Sequence, residues 1–139
     1  MKKIFLPIAI LAIFTFSHCG SKKSEPTASE VNTGILTSKG WTIQSVMIDN
    51  TSSSSFAGLT LNFTSTTYTT TNGKVVWPAN GTWAFIDANA KTILREDQVK
   101  VSLDEISNNK LVLSLDWATS TLGGRTNSVT GRHVFTFTR

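Results

Sequence analysis

The chain has 139 residues, of which 40% are hydrophobic and 16% charged, and a formal net charge of +4 at pH 7. This length suits one domain of ordinary size. The basic residues are few and scattered, which excludes a nucleic-acid-binding surface. The single cysteine excludes an internal disulfide, so the folded part must be stable through its hydrophobic core.

The N-terminus has the pattern of a bacterial export signal. Lys2 and Lys3 precede an apolar run over residues 4–16, which is shorter than the roughly 20 residues of a membrane-spanning helix. Polar sequence begins directly after Cys19. We predict a signal peptide over residues 1–18, and its removal takes 13 basic residues to 11 against 9 acidic ones, a net charge of +2.

The end of this signal carries the only cysteine of the chain. Phe16-Ser17-His18-Cys19 resembles a lipobox, the bacterial signal for lipid attachment, with Phe and His at positions where Leu and Gly or Ala are usual. The resemblance implies a lipid on Cys19 and a membrane as partner, since each buried methylene contributes about 0.8 kcal/mol. The alternative is a stray cysteine in a secreted protein, although no Ala-x-Ala-like cleavage site lies nearby.

The segment after the cysteine is predicted to be flexible. It is rich in Ser, Thr, Lys and Glu and shows neither strand nor helix periodicity, so we place a tether at residues 19–35. As in outer-membrane lipoproteins of the Gram-negative cell envelope, the residue after the cysteine is Gly20 rather than Asp. Lys22 and Lys23 stand where an acidic run often accompanies surface display, which favours the periplasmic face.

Residues 36–139 are predicted to form one all-β domain. Runs of Thr, Val, Ile, Trp and Phe alternate with the turn formers Asn, Gly, Asp and Ser. We predict eight strands, at residues 41–49, 59–64, 66–71, 82–87, 92–94, 99–103, 111–117 and 133–138. The first strand changes phase near Ser45, which predicts a bulge. Eight strands joined mostly by short turns favour an antiparallel up-and-down barrel.

Five short motifs stand in order along this domain: Lys39-Gly40-Trp41, Leu61-Asn62-Phe63, Gly81-Thr82-Trp83-Ala84-Phe85, Lys110-Leu111-Val112-Leu113 and Phe135-Thr136-Phe137-Thr138-Arg139. As a set they resemble landmarks of the small lipocalin-like lipoproteins of Gram-negative bacteria. The resemblance implies an eight-stranded calycin-type barrel in which a first-strand tryptophan closes one end beneath a basic residue. Here that pair would be Trp41 and Arg139, or Arg132 in another register, with a stabilising role of roughly 0.5–2 kcal/mol.

The polar residues offer little for catalysis. Two acidic pairs, Glu96-Asp97 and Asp104-Glu105, flank turns, and adjacent strand residues point to opposite faces of a sheet. His133, the only histidine left after cleavage, cannot form a typical zinc site alone and is predicted at the surface or the barrel rim. We therefore expect no enzymatic activity, no metal and no cofactor.

The aromatic residues leave two interpretations open, because an eight-stranded barrel is either filled by side chains or holds one small ligand. Six of them are candidates for lining a ligand pocket: Tyr68, Trp83, Phe85, Trp117, Phe135 and Phe137. Trp77 precedes a proline in a predicted loop. It is a candidate contact for a partner or, alternatively, a lid over the barrel mouth.

Two functions follow from these alternatives. The first is binding of a small apolar or amphipathic ligand at a barrel mouth bounded by the loops at 72–80 and 119–131. The second is an interaction module with a filled core, which contacts an envelope protein or glycan through its loops. A cavity lined by Trp83 and Phe85 would favour the first, and a solid core with an exposed patch around Trp77 would favour the second.

Overall fold

The computed structural model describes residues 24–118 and 130–139. The helices and strands of this part are α1 (Ala28–Thr37), β1 (Trp41–Ile48), β2 (Thr51–Ser52), β3 (Thr60–Phe63), β4 (Thr67–Thr71), β5 (Asn80–Phe85), β6 (Thr92–Arg95), β7 (Lys100–Ile106), β8 (Lys110–Trp117) and β9 (Gly131–Thr138). The predicted signal peptide, Cys19, the start of the tether and most of the predicted loop at 119–131 lie outside the described residues.

Eight of the strands form a closed antiparallel barrel. Each strand from β3 to β8 pairs with the next one along the chain, and β1 pairs with both β3 and β9. The pairing of β1 with β9 runs from Thr42↔Thr138 to Ile48↔His133 and closes the sheet. The predicted all-β, eight-stranded antiparallel barrel is confirmed. The two-residue strand β2, which was not predicted, pairs with the end of β1.

The bulge predicted in the first strand is also confirmed. The register between β1 and β9 shifts between Ile43 and Ser45. Trp41 and Val46, five positions apart, are both buried, which strict alternation along a strand does not allow. One extra residue in β1 therefore brings both side chains to the interior.

Helix α1 corrects the prediction of a flexible tether for residues 28–35. The Thr27 side chain accepts a hydrogen bond from the Glu30 backbone N–H, and the Glu30 carboxylate accepts one from the Thr27 N–H, which together form a capping box. Leu36 is fully buried in the core and Ile35 packs against it. A polar sequence without clear periodicity is thus helical because it is capped at its start and docked at its end.

The two ends of the barrel are covered by different parts of the chain. We call the end that holds α1, the start of β1 and the end of β9 the helix end. There, the Asn32 side chain donates to the carbonyl of Ala90 in the β5–β6 turn. The opposite end, which we call the mouth, carries the connections β1–β3, β4–β5, β6–β7 and β8–β9.

Candidate functional site

The six aromatic residues predicted to line a pocket lie at two levels of burial. Tyr68, Trp83, Phe135 and Phe137 belong to the buried core, whereas Phe85 and Trp117 are partly buried against it. The Trp83 ring packs edge-on against Phe85 with 5.2 Å between centroids, and Phe135 stacks on Phe137 at 6.2 Å. The four buried aromatic side chains therefore fill space in the interior of the barrel, where they pack against other rings.

Trp77 is buried, and the prediction of an exposed partner contact is wrong. Its side chain is 1% exposed, and its ring packs edge-on against Tyr68 at 5.7 Å and Phe135 at 6.1 Å. The β4–β5 loop folds inward through a hydrogen bond from the Trp77 N–H to the Gly73 carbonyl. A Cβ on Gly73 would lie 2.2 Å from the Trp77 carbonyl oxygen, so the tight turn depends on glycine. The burial of Trp77 agrees with the alternative interpretation, in which this side chain packs as a lid over the barrel mouth.

Arg95 is a buried cation at the mouth that sequence reasoning missed. Its guanidinium pairs with Asp97 through Nε (3.1 Å) and Nη2, and Nη1 donates to the Val76 carbonyl at 2.7 Å. Its Cζ lies 4.9 Å from the centroid of the Trp77 ring. A buried guanidinium is tolerated where such partners compensate for lost hydration. The available signal was strand alternation, which places Arg95 on the same inward face as Ile93.

His133 is also buried, so the prediction of a surface position is wrong, although the residue does lie near the mouth end of β9. It shares the inward face of β9 with Phe135 and Phe137. Its ring stacks on Phe135 at 5.7 Å, and the Phe56 ring covers its edge at 5.8 Å. Its Nδ1 lies 3.0 Å from the Gly131 carbonyl oxygen, so Nδ1 carries a proton and donates.

A groove of about 530 Å³ opens at the mouth between β7 and β8. The pairing of these two strands reaches only Ser102↔Ser114, whereas β8 stays paired with β9 as far as Trp117↔Gly131. The two strands therefore separate towards the mouth. The groove between them is lined by Asp97, Gln98, Val99, Lys100, Asp116, Trp117 and Ala118.

The walls of this groove are both aromatic and charged. The Asp97 carboxylate is held by Arg95, and Asp116 lies 4.0 Å from Nη1 of Arg132. Lys100 forms no ion pair with any residue of the described part of the chain. The groove therefore offers the Trp117 ring for apolar contact and the Lys100 ammonium for a polar group.

Three buried ring nitrogens lack a hydrogen-bond partner among the described residues: Nε1 of Trp77, Nε1 of Trp117 and Nε2 of His133. By contrast, the indoles of Trp41 and Trp83 each donate to backbone carbonyls. Buried polar groups are nearly always paired, and leaving one unpaired costs about 1–3 kcal/mol. All three unpaired atoms belong to residues near the mouth, and of these residues Trp117 also lines the groove.

The helix end holds the pair that the resemblance implies, with Arg139 rather than Arg132. The Arg139 Cζ lies 3.8 Å from the Trp41 ring centroid. Arg139 also donates to Ser38 Oγ at 2.7 Å and to the Ile35 carbonyl. The residue is exposed overall, and partial desolvation of its guanidinium lowers its pKa. This pair connects the first strand, the last strand and the end of α1, so its role is to stabilise the fold.

The acidic pairs do not converge on a common point. Glu96 accepts hydrogen bonds from Thr82, whereas its neighbour Asp97 is bound to Arg95. Glu105 pairs with Lys110 at 2.7 Å on the exposed surface. Within residues 24–118 and 130–139, no group of three His, Cys, Asp or Glu side chains is placed to hold a metal ion, and no helix is long and apolar enough to cross a bilayer.

Among the core residues that the structure describes, Tyr68 has a shifted pKa. Burial raises the pKa of its phenol, and the nearby Arg95 partly offsets this effect. The phenol is therefore neutral at physiological pH.

Comparison with known proteins adds no relative. No family model, no curated protein and no solved structure matches the chain. The closed eight-stranded barrel is consistent with a lipocalin-like fold, and membership of that family is a proposal.

Proposed function

We propose that this protein is a lipid-anchored envelope protein whose lipocalin-like barrel binds a small amphipathic ligand at its mouth. The groove beside Trp117 carries this proposal. Its volume of about 530 Å³ falls within the roughly 300–1,000 Å³ of small-molecule sites. It also combines an apolar wall with a few polar groups, as such sites do.

The filled interior supports a ligand at the mouth rather than deep in the barrel. Phe135 and Phe137 are fully buried among other core side chains. Trp117 and Val99, in contrast, are partly exposed and line the groove. The apolar part of the ligand would lie against these two side chains, with Lys100 beside its polar part.

The anchor is proposed on the lipobox-like sequence that ends at Cys19. Eight residues, 20–27, separate this cysteine from α1 and span at most about 27 Å at roughly 3.4 Å each. Because α1 packs at the helix end, the mouth would face away from the membrane. Cys19→Ser should move the protein from the membrane fraction to the soluble fraction, and the absence of labelled fatty acid on the wild-type protein would contradict the anchor.

Ligand binding can be tested by native mass spectrometry of residues 24–139, exported without the anchor and purified gently. We expect an additional discrete mass that is lost on denaturation. Trp117→Ala should lower the bound fraction at least tenfold, whereas Ile86→Ala, an exposed residue of the β5–β6 turn at the helix end, should leave it unchanged. A bare wild-type domain, together with no binding of added amphiphiles, would refute the proposed function.

The filled core also favours a second candidate, an interaction module for an envelope protein or glycan. Val75 is 59% exposed in the β4–β5 loop, two residues before the buried Trp77. A partner that co-purifies with a bare domain and is lost in Val75→Asp would support this function instead.

A further inference from the structure

We propose that the ligand at the mouth carries a hydroxyl group, bound by the ring nitrogens of Trp77, Trp117 and His133. This inference rests on the proposed function and names the chemistry of the same site. It starts from the three ring nitrogens that are buried yet have no partner among the described residues. Trp77 is 1% exposed and His133 is fully buried, so solvent does not replace such a partner.

The three residues lie around one region of the mouth. Trp77 and His133 both contact the Phe135 ring, with centroid distances of 6.1 and 5.7 Å. His133 is paired with Leu115 across β8 and β9, and Trp117 is two residues further towards the mouth. Trp117 also lines the groove, so the groove adjoins the buried cluster.

The protonation pattern of these rings defines what they can bind. The Nδ1 of His133 donates to the Gly131 carbonyl, so in the neutral ring Nε2 has a lone pair and accepts. The two indole nitrogens can only donate. The set therefore comprises one acceptor and two donors.

A hydroxyl group matches this set, because it has one O–H donor and two acceptor lone pairs. An ether or a carboxylate accepts from the indoles but has no proton for His133. An alkyl chain satisfies none of the three atoms. The geometry therefore favours an alcohol with an apolar body, which would lie along Trp117 and Val99 in the groove.

The test is an NMR titration of the wild-type domain, residues 24–139, with n-octanol. We expect the indole N–H signals of Trp77 and Trp117 to shift and to exchange more slowly with solvent. The ¹⁵Nε2 signal of His133 should move as this atom gains a hydrogen bond. The indole signals of Trp41 and Trp83, which already donate to carbonyls, are internal controls and should stay in place.

Specificity is measured with methyl octyl ether and octanoate. The alcohol should bind about tenfold more tightly than the ether, the usual effect of one buried hydrogen bond. In His133→Phe this preference should disappear, whereas Ile86→Ala, at the exposed helix end, should keep it. The comparison of the alcohol, the ether and the carboxylate is made on the wild-type domain. It therefore tests the inference even if His133→Phe misfolds.

The outcomes separate the two proposals. If the compounds bind but the ether equals the alcohol, or octanoate exceeds it, the hydroxyl inference is wrong while ligand binding stands. Indole signals that already show a slowly exchanging water and do not respond to octanol would also refute the inference. If none of the compounds binds and the purified domain is bare, the proposed function itself fails.

Discussion

Two arginines stack on tryptophans at opposite ends of the barrel. At the helix end, Arg139 is exposed to solvent while its guanidinium lies over Trp41. At the mouth, Arg95 is buried and lies over Trp77, with Asp97 as its counter-ion. The two Arg–Trp pairs therefore contribute differently to stability. Because Arg95 is buried, its charge destabilises the fold unless Asp97 compensates for it, whereas the charge of the exposed Arg139 is hydrated.

For the exposed arginine we predict a modest effect on stability. Arg139→Met should lower the free energy of unfolding by about 1–2 kcal/mol, because the stacking on Trp41 and the hydrogen bonds to Ser38 and Ile35 are lost. Lys110→Met, which removes the exposed ion pair with Glu105, should cost less than about 0.5 kcal/mol. Urea denaturation measures both values. Equal losses in the free energy of unfolding for the two variants would show that the contacts of Arg139 do not stabilise the helix end.

For the buried arginine we predict non-additive behaviour. Asp97→Ala should cost about 2–3 kcal/mol, less than the loss of one partner from a fully buried pair, because the Asp97 side chain is 33% exposed whereas the Arg95 side chain is buried. Adding Arg95→Met should recover part of this loss, because an unpaired buried charge is then replaced by an apolar side chain. If the double variant Asp97→Ala/Arg95→Met is less stable than Asp97→Ala alone, the buried charge of Arg95 does not require Asp97 and the prediction is wrong.

At the level of elements, two glycines show how local geometry limits substitution. Gly34 lies within α1, and a Cβ there meets nothing within 4 Å. Gly131 begins β9 with a φ of +132°, and a Cβ there would lie 2.3 Å from the Asp49 carboxylate. The helix thus tolerates a side chain where the strand does not.

We therefore expect opposite signs from the same substitution. Gly34→Ala should raise the free energy of unfolding by about 0.5–1 kcal/mol, because alanine is the better helix former. Gly131→Ala should lower it by about 1–3 kcal/mol through backbone strain and the displaced carboxylate. The melting temperatures of the two variants measure the difference. Destabilisation by Gly34→Ala would show that residues 28–37 are not helical in solution.

The elements differed in how well the sequence revealed them. Strands with strict alternation, such as β8, and the phase change at Ser45 were predictable, since side chains alternate between two faces. Helix α1 was not, because its evidence is a short capping box and one buried residue, Leu36. The burial of Trp77 and His133 depends on loops that fold back over the mouth, a tertiary effect that periodicity does not report.

For the whole molecule, closure of the barrel depends on β9. This strand pairs with β8 along its full length and with β1 from Thr42 to Ile48. It also contributes Phe135 and Phe137, both fully buried. Without β9, two long edges and an open core would remain.

We predict that residues 24–130 alone show no cooperative unfolding transition. Addition of a peptide of residues 131–139 should restore one, because the missing strand can pair with both edges. The same peptide with Phe135→Asp is the control and should not restore it, since a charge would enter the core. Circular dichroism during heating measures the transition, and cooperative melting of residues 24–130 alone would contradict the prediction.

The pairing of the first long strand with the last also sets the timing of folding. Thr42 pairs with Thr138, so β1 cannot pair with β9 until roughly ninety further residues have been translated. Their synthesis takes on the order of ten seconds. Until β9 emerges from the ribosome, the nascent chain cannot complete its fold. An incompletely folded chain is the form that passes through a secretion channel, so this topology suits the export that we propose from the N-terminal sequence.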